Sequence, residues 1–99
     1  MPKAELLTDD QLDAELVSLP LWRAREAALE RTVELASFPQ AVEVVNRVAE
    51  VAERDDHHPD IDIRRRTLTF RCWTHVSGGI TALDVSLAQE VDAILDALA

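Results

Sequence analysis

ERDDHHPDIDIRRRTLTFRCWTHVSGGITALD, residues 53–84, holds the end of a helical pattern, a strand pair, a loop and the start of another helix. All three histidines of the chain, His57, His58 and His75, lie in it. The clearest element is the strand over residues 67–75. Leu68, Phe70, Cys72 and Thr74 share one face, and Thr67, Thr69, Arg71, Trp73 and His75 the other. A period of two marks a strand with one buried side. Ile61 and Ile63 alternate with Asp60 and Asp62 and predict the strand before it, with a turn near Arg65-Arg66. Gly78-Gly79 supplies a permissive loop. Thr81, with Asp84 three residues on, predicts a capped helix whose buried stripe is Leu83, Leu87, Val91, Ile94, Leu95 and Leu98. The histidines therefore fall at element ends: two after a helix, one closing a strand. Their clustering predicts that they converge on one site.

Towards the N-terminus, residues 1–7 read as a loose start. Thr8 and Gln11 form a capping-box pattern for a short helix with Leu12, Leu16 and Val17 inward. Pro20 ends that helix, and Leu21-Trp22 opens a first strand. Residues 22–35 are ambiguous. Ala24, Ala27 and Ala28 permit a helix, whereas Leu29, Arg31, Val33 and Leu35 alternate with Glu30, Thr32 and Glu34 and favour a hairpin. Ser37 followed by Pro39 starts a long amphipathic helix, with Val42, Val45, Val48, Ala49 and Ala52 repeating at helical spacing to about Arg54. Three helices and about four strands give an α+β fold, with helices on one face of an antiparallel sheet.

Composition narrows the function. Ninety-nine residues suit one domain, residues 1–99. The formal net charge of −9 argues against a nucleic-acid partner, which needs a basic stripe. Arg64-Arg65-Arg66 is read as a solvated hairpin tip. The one cysteine, Cys72, has no internal disulfide partner and fits a reducing compartment. No apolar run is long enough to span a membrane, and the expected location is the cytoplasm.

A histidine takes up and gives up protons near neutral pH, so a cluster suits a reaction that moves protons on a bound heterocycle. Glu53, one turn before His57, can orient an imidazole. Three histidines near Asp55, Asp56 or Asp60 also suit zinc, but no Cys-x-x-Cys or His-Glu-x-x-His accompanies them. Taken singly, His57 and His58 are unremarkable polar residues at a helix end. Cys72 sits on the apolar strand face, as a core residue does rather than a nucleophile.

The combined spacing Glu53-x-x-x-His57-His58-Pro59, Thr74-His75 and Gly79-Ile80-Thr81-x-x-Asp84 resembles the pterin-4a-carbinolamine dehydratase family. Trp22, Phe38 and the run Asn46-x-x-Ala49-x-x-Ala52 extend the likeness over nearly the whole chain. The resemblance implies a four-stranded antiparallel sheet with three helices packed on one face, and it resolves residues 22–35 as a hairpin. It implies a homodimer or homotetramer, with the sheet face of Thr69, Arg71 and Trp73 partly an interface.

The activity it implies is dehydration of a 4a-hydroxytetrahydropterin to the quinonoid dihydropterin in tetrahydrobiopterin recycling, without metal or organic cofactor. His57 and His75 then correspond to the proton-transfer pair, and His58 to the residue anchoring the pterin. Glu53, Pro59, Thr74 and Asp84 correspond to substrate-binding or supporting positions, with Thr74 contacting the ring through its backbone. Two positions depart from the family pattern. Arg65 stands where an aromatic residue is usual, and Trp73 where many members have Ser or Thr. Some relatives serve instead as dimerisation cofactors or assembly factors, so a non-catalytic, protein-binding role is the alternative.

Overall fold

A computed structural model describes residues 4–98. Its elements run α1 (Asp9–Leu16), β1 (Arg23–Arg25), β2 (Ala28–Glu34), α2 (Phe38–Asp55), β3 (Asp60–Arg64), β4 (Thr67–Cys72) and α3 (Ala82–Leu98). The four strands form one sheet in the order β1-β2-β4-β3, with every neighbouring pair antiparallel. The α+β class and the hairpin over residues 22–35 are as expected.

Strand register fixes which residues share a face. Leu29 lies opposite Cys72, Arg31 opposite Phe70, and Val33 opposite Leu68. On β3, Ile61 faces Phe70 and Ile63 faces Leu68. Leu29, Leu68, Phe70 and Cys72 are buried in one cluster with Val44 and Val48 of α2 and Ala88, Val91 and Leu95 of α3. Leu12 and Leu16 of α1 pack at its margin. The three helices thus cover a single face. The other face carries Glu30, Thr32, Thr69 and Arg71, where the Thr32 and Thr69 hydroxyls meet at 3.0 Å.

Burial rather than propensity holds α2. Valine gives up roughly 0.5 kcal/mol in a helix relative to alanine. Fully burying it returns about 2 kcal/mol. Ser37 caps the helix, accepting from the Gln40 N–H at 3.1 Å, with Pro39 in the first turn. The buried stripe is Ala41, Val44, Val48 and Ala52, rotated from the expected one, and Ala49 faces solvent. Valines at 42, 44, 45, 48 and 51 leave the apolar arc too wide for periodicity to centre it.

Other expectations shift locally. The Thr8–Gln11 capping box is present. α1 ends at Leu16, however, so Val17 points to solvent and Leu19, after a turn, is buried instead. Trp22 precedes β1 rather than opening it, and its indole N–H donates to Asp92 of α3 at 2.7 Å. Of the predicted loose start, residues 1–3 lie outside the described residues. Residues 4–7 are tied down: Leu6 bridges Thr81, and the Leu7 N–H donates to the Ile80 carbonyl at 2.9 Å. Backbone groups at residues 80–81 need partners, and this segment supplies them. In α3, Leu83 is about half exposed; Val85 and Ala88 join the core beside Leu87, and Asp84 takes the inward position of the first turn.

Candidate active site

The C-terminus of α2 aims the first two histidines. Asp56 adopts a left-handed conformation with φ of 49°, and the His57 N–H reaches back to the Ala52 carbonyl at 3.0 Å. This is the six-to-one bond of a Schellman ending, and aspartate tolerates the left-handed region better than most residues. The chain therefore turns sharply at His57. Pro59 keeps His58 out of helical geometry, and β3 begins at Asp60.

Asp84 lies beneath His57 and is fully buried. Its Oδ1 is 2.6 Å from His57 Nε2. Its Oδ2 accepts from the Thr81 N–H at 2.8 Å and from the Thr74 hydroxyl at 2.9 Å. Thr81 is the N-cap of α3, and its hydroxyl accepts from the Leu83 N–H at 3.2 Å. The Thr74 proton goes to Asp84, so the Thr81 hydroxyl donates across the 2.8 Å contact to Thr74. Every group in this buried network has a partner, as a buried carboxylate requires. With Asp84 acting as acceptor throughout, His57 Nε2 carries a hydrogen. In a neutral ring, Nδ1 is then the basic nitrogen.

The other two imidazoles are held differently. His58 Nε2 bonds the Glu53 carboxylate, back across the turn. His75 opens a short 3₁₀ turn, residues 75–77, rather than closing β4, which ends at Cys72. Trp73 stacks on His75, with ring centroids 3.8 Å apart and planes at 27°. The Trp73 indole N–H donates to Asp60 Oδ2 at 2.8 Å.

One open cleft of about 240 Å³ is lined by His57, His58 and His75, with Asp56, Trp73, Thr74 and Val76. The expected convergence of the histidines is present. Neither Glu53 nor Asp84 lines it: buried Asp84 holds His57, and exposed Glu53 holds His58. Thr74 lines it, but its backbone is engaged: its N–H donates to the Gly79 carbonyl at 2.8 Å, and its carbonyl accepts from Gly78 at 2.9 Å. Thr74 acts on Asp84 through its hydroxyl. Pro59 is half-buried, outside the cleft lining, and shapes the loop. Cys72 is buried in the core. Among the described residues, no group of three His, Cys, Asp or Glu side chains is placed to hold a metal ion.

A depression of about 340 Å³ beside Trp22, Arg23 and Glu30 is larger. It contains no histidine, and Glu30 is already bound by Arg23, Arg25 and Arg71. Volume alone does not make it the reactive site. Next to the histidine cleft, Arg54 holds the Asp55 carboxyl below the usual carboxylate range through a 2.9 Å hydrogen bond. The sequence offered Asp60 only as a possible metal neighbour and Thr81 only as a helix cap; their roles as the anchor of Trp73 and a second support of Asp84 were not read from it. For Thr81 the signal was there, because the capping box that ties it to Asp84 was visible.

The family model described as Pterin 4 alpha carbinolamine dehydratase matches residues 5–94. A protein of Mycobacterium sp. (strain KMS) named "Putative pterin-4-alpha-carbinolamine dehydratase" is 54% identical over 91 residues, covering 92% of this chain and 97% of its own. A protein of the same name from Nocardia farcinica is 50% identical over 90 residues, covering 91% and 95%. A solved structure, named as a transcriptional coactivator/pterin dehydratase from Brucella melitensis, superposes with a TM-score of 0.88 at 27% identity, covering 91% of this chain and 98% of that one. Among the described residues, no helix is long and apolar enough to cross a membrane. On the family match and the identity over nearly its full length, this chain belongs to the pterin-4α-carbinolamine dehydratase family.

Proposed function

We propose that this chain removes water from a 4a-hydroxytetrahydropterin by histidine acid–base catalysis, in the recycling of tetrahydrobiopterin. The observation that carries the reading is the convergence of His57, His58 and His75 on one cleft, with His57 locked by buried Asp84. The reaction breaks the C4a–O bond and the N5–H bond, and forms the C4a=N5 double bond of the quinonoid product. One proton goes to the leaving hydroxyl and one leaves N5, so the step is balanced by proton carriers alone.

His57 Nδ1 is the base for the N5 proton. Its other nitrogen is fixed on Asp84, which settles the imidazolium as it forms. His75 protonates the departing hydroxyl. His58, oriented by Glu53, anchors the pterin edge and stabilises developing charge. Acid–base assistance of this kind contributes ~10²–10⁴-fold. The whole chain acts as one domain in this reading, in the cytoplasm. A homodimer or homotetramer belongs to it, with the sheet face of Thr69, Arg71 and Trp73 as part of its contact. Loss of 4a-hydroxytetrahydropterin absorbance, compared with spontaneous decay, tests the activity; sedimentation tests the assembly.

A second reading is protein binding on the same fold, without turnover. The Brucella protein is named a coactivator as well as a dehydratase, and that double name favours it. A stoichiometric partner in a pull-down, together with no pterin turnover, would select it over the first.

A further inference from the structure

His57 and His58 are each oriented by a carboxylate, but His75 is oriented by an aromatic face. We infer that Trp73, clamped by Asp60, is the positioning residue for His75. Its kinetic consequences rest on the dehydratase reading; its structural content does not.

His75 is exposed and begins a turn of three residues. An imidazole in that setting samples several rotamers unless something holds it. Trp73 lies against it at 3.8 Å between ring centroids, in near-parallel planes. A stack of this geometry engages the face of the imidazole and leaves both nitrogens free at its edge. A carboxylate partner would occupy one of them. Stacking therefore fixes the plane of an imidazole that must present an N–H to a leaving hydroxyl.

The indole is itself held. Its flanking residues, Cys72 and Thr74, are buried, and Thr74 is bonded to Asp84 and Gly79. The indole N–H donates to Asp60 at 2.8 Å. Asp60 is the first residue of β3 and directly follows His57-His58-Pro59. The bond thus joins the exit of the two-histidine loop to the segment that carries His75. It thereby ties together the two histidine-bearing segments that line the cleft.

Proton NMR of the ligand-free protein tests the placement without reference to turnover. The His75 ring protons, assigned with His75→Gln, are expected upfield of those of His57 and His58 through the indole ring current. They should move downfield in Trp73→Leu. His75 protons that do not respond to Trp73→Leu overturn the inference. In the dehydration assay, Trp73→Leu is expected to lower kcat ~10-fold, with KM changed by less than about twofold, because a displaced acid costs rate rather than binding. Trp73→Phe keeps a stacking ring and restores most of the rate; it also serves if the leucine variant does not fold. Asp60→Ala should cost about threefold, and Asp60→Asn, whose amide oxygen still accepts from the indole, should recover it. An unchanged kcat, or a rise in KM alone, overturns the inference. If the wild type does not turn over the pterin, the NMR shifts still decide whether Trp73 holds His75, so the two failures are distinguishable.

Discussion

Asp84 is fully buried 2.6 Å from His57 Nε2, and the same carboxylate closes the capping box of α3 on the Thr81 N–H. One side chain therefore starts a helix and selects the tautomer of an imidazole. Asp84→Asn separates the two roles. Its amide oxygen can take the position that receives Thr74 and Thr81, which leaves the NH₂ facing His57. His57 Nε2 must then accept, Nδ1 becomes the N–H, and the base is lost. Turnover is expected to fall about 10²-fold with the fold retained. Rates and circular dichroism of the variant check this; wild-type turnover would contradict it.

The β1–β2 hairpin closes with Glu26 and Ala27, both at positive φ, 49° and 60°. Arg25 pairs with Ala28, so this is a two-residue loop of the type that favours Asn-Gly. Ala27 bears a Cβ where glycine would not, and Ala27→Gly should stabilise the protein by about 1 kcal/mol in urea unfolding. At the β3–β4 turn only Arg65 has positive φ, 55°, and Arg65→Gly should act in the same direction. A loss of stability in both variants would refute the assignment.

Glu30 is buried on the sheet face that no helix covers, and Arg71 first, then Arg23, hold its carboxyl below the usual range. The folded pKa is thus depressed relative to the unfolded chain. The stability this contributes is fully present above the unfolded value, about 4.3. It is lost as pH falls through the lower folded value. Urea unfolding of wild type and Glu30→Gln should differ most at neutral pH and converge in acid. A gap that widens in acid would show the sign to be wrong.

Burial, with a smaller contribution from Asp84, pushes the Cys72 thiol well above its ordinary range. The thiolate is the reactive form. Native protein should resist alkylation at pH 8 and label rapidly once unfolded in urea. Fast labelling under native conditions would mean that β4 opens locally.

Where one physical signal dominates, the sequence was readable. The alternation Leu68, Phe70, Cys72 located β4 because each of these residues is buried on one face. Thr81 and Asp84 located the start of α3 through their capping box. The histidine cluster pointed to one cleft because all three lie at ends of elements that meet there. The arc of α2 was not readable, since its valines surround too much of the helix. The Trp22–Asp92 bond spans 70 residues, and no local pattern announces it. His75 in a 3₁₀ turn, and Trp73 stacked upon it, depend on how the chain leaves β4 after Cys72, which alternation cannot specify.

The decay of freshly generated 4a-hydroxytetrahydropterin, followed by ultraviolet absorbance with and without the protein, tests the central claim most directly. The account predicts an acceleration of ~10²–10⁴-fold that disappears in the His57→Ala, His75→Ala double variant while its circular dichroism is unchanged. No acceleration by folded wild-type protein, or acceleration undiminished in the double variant, would contradict it.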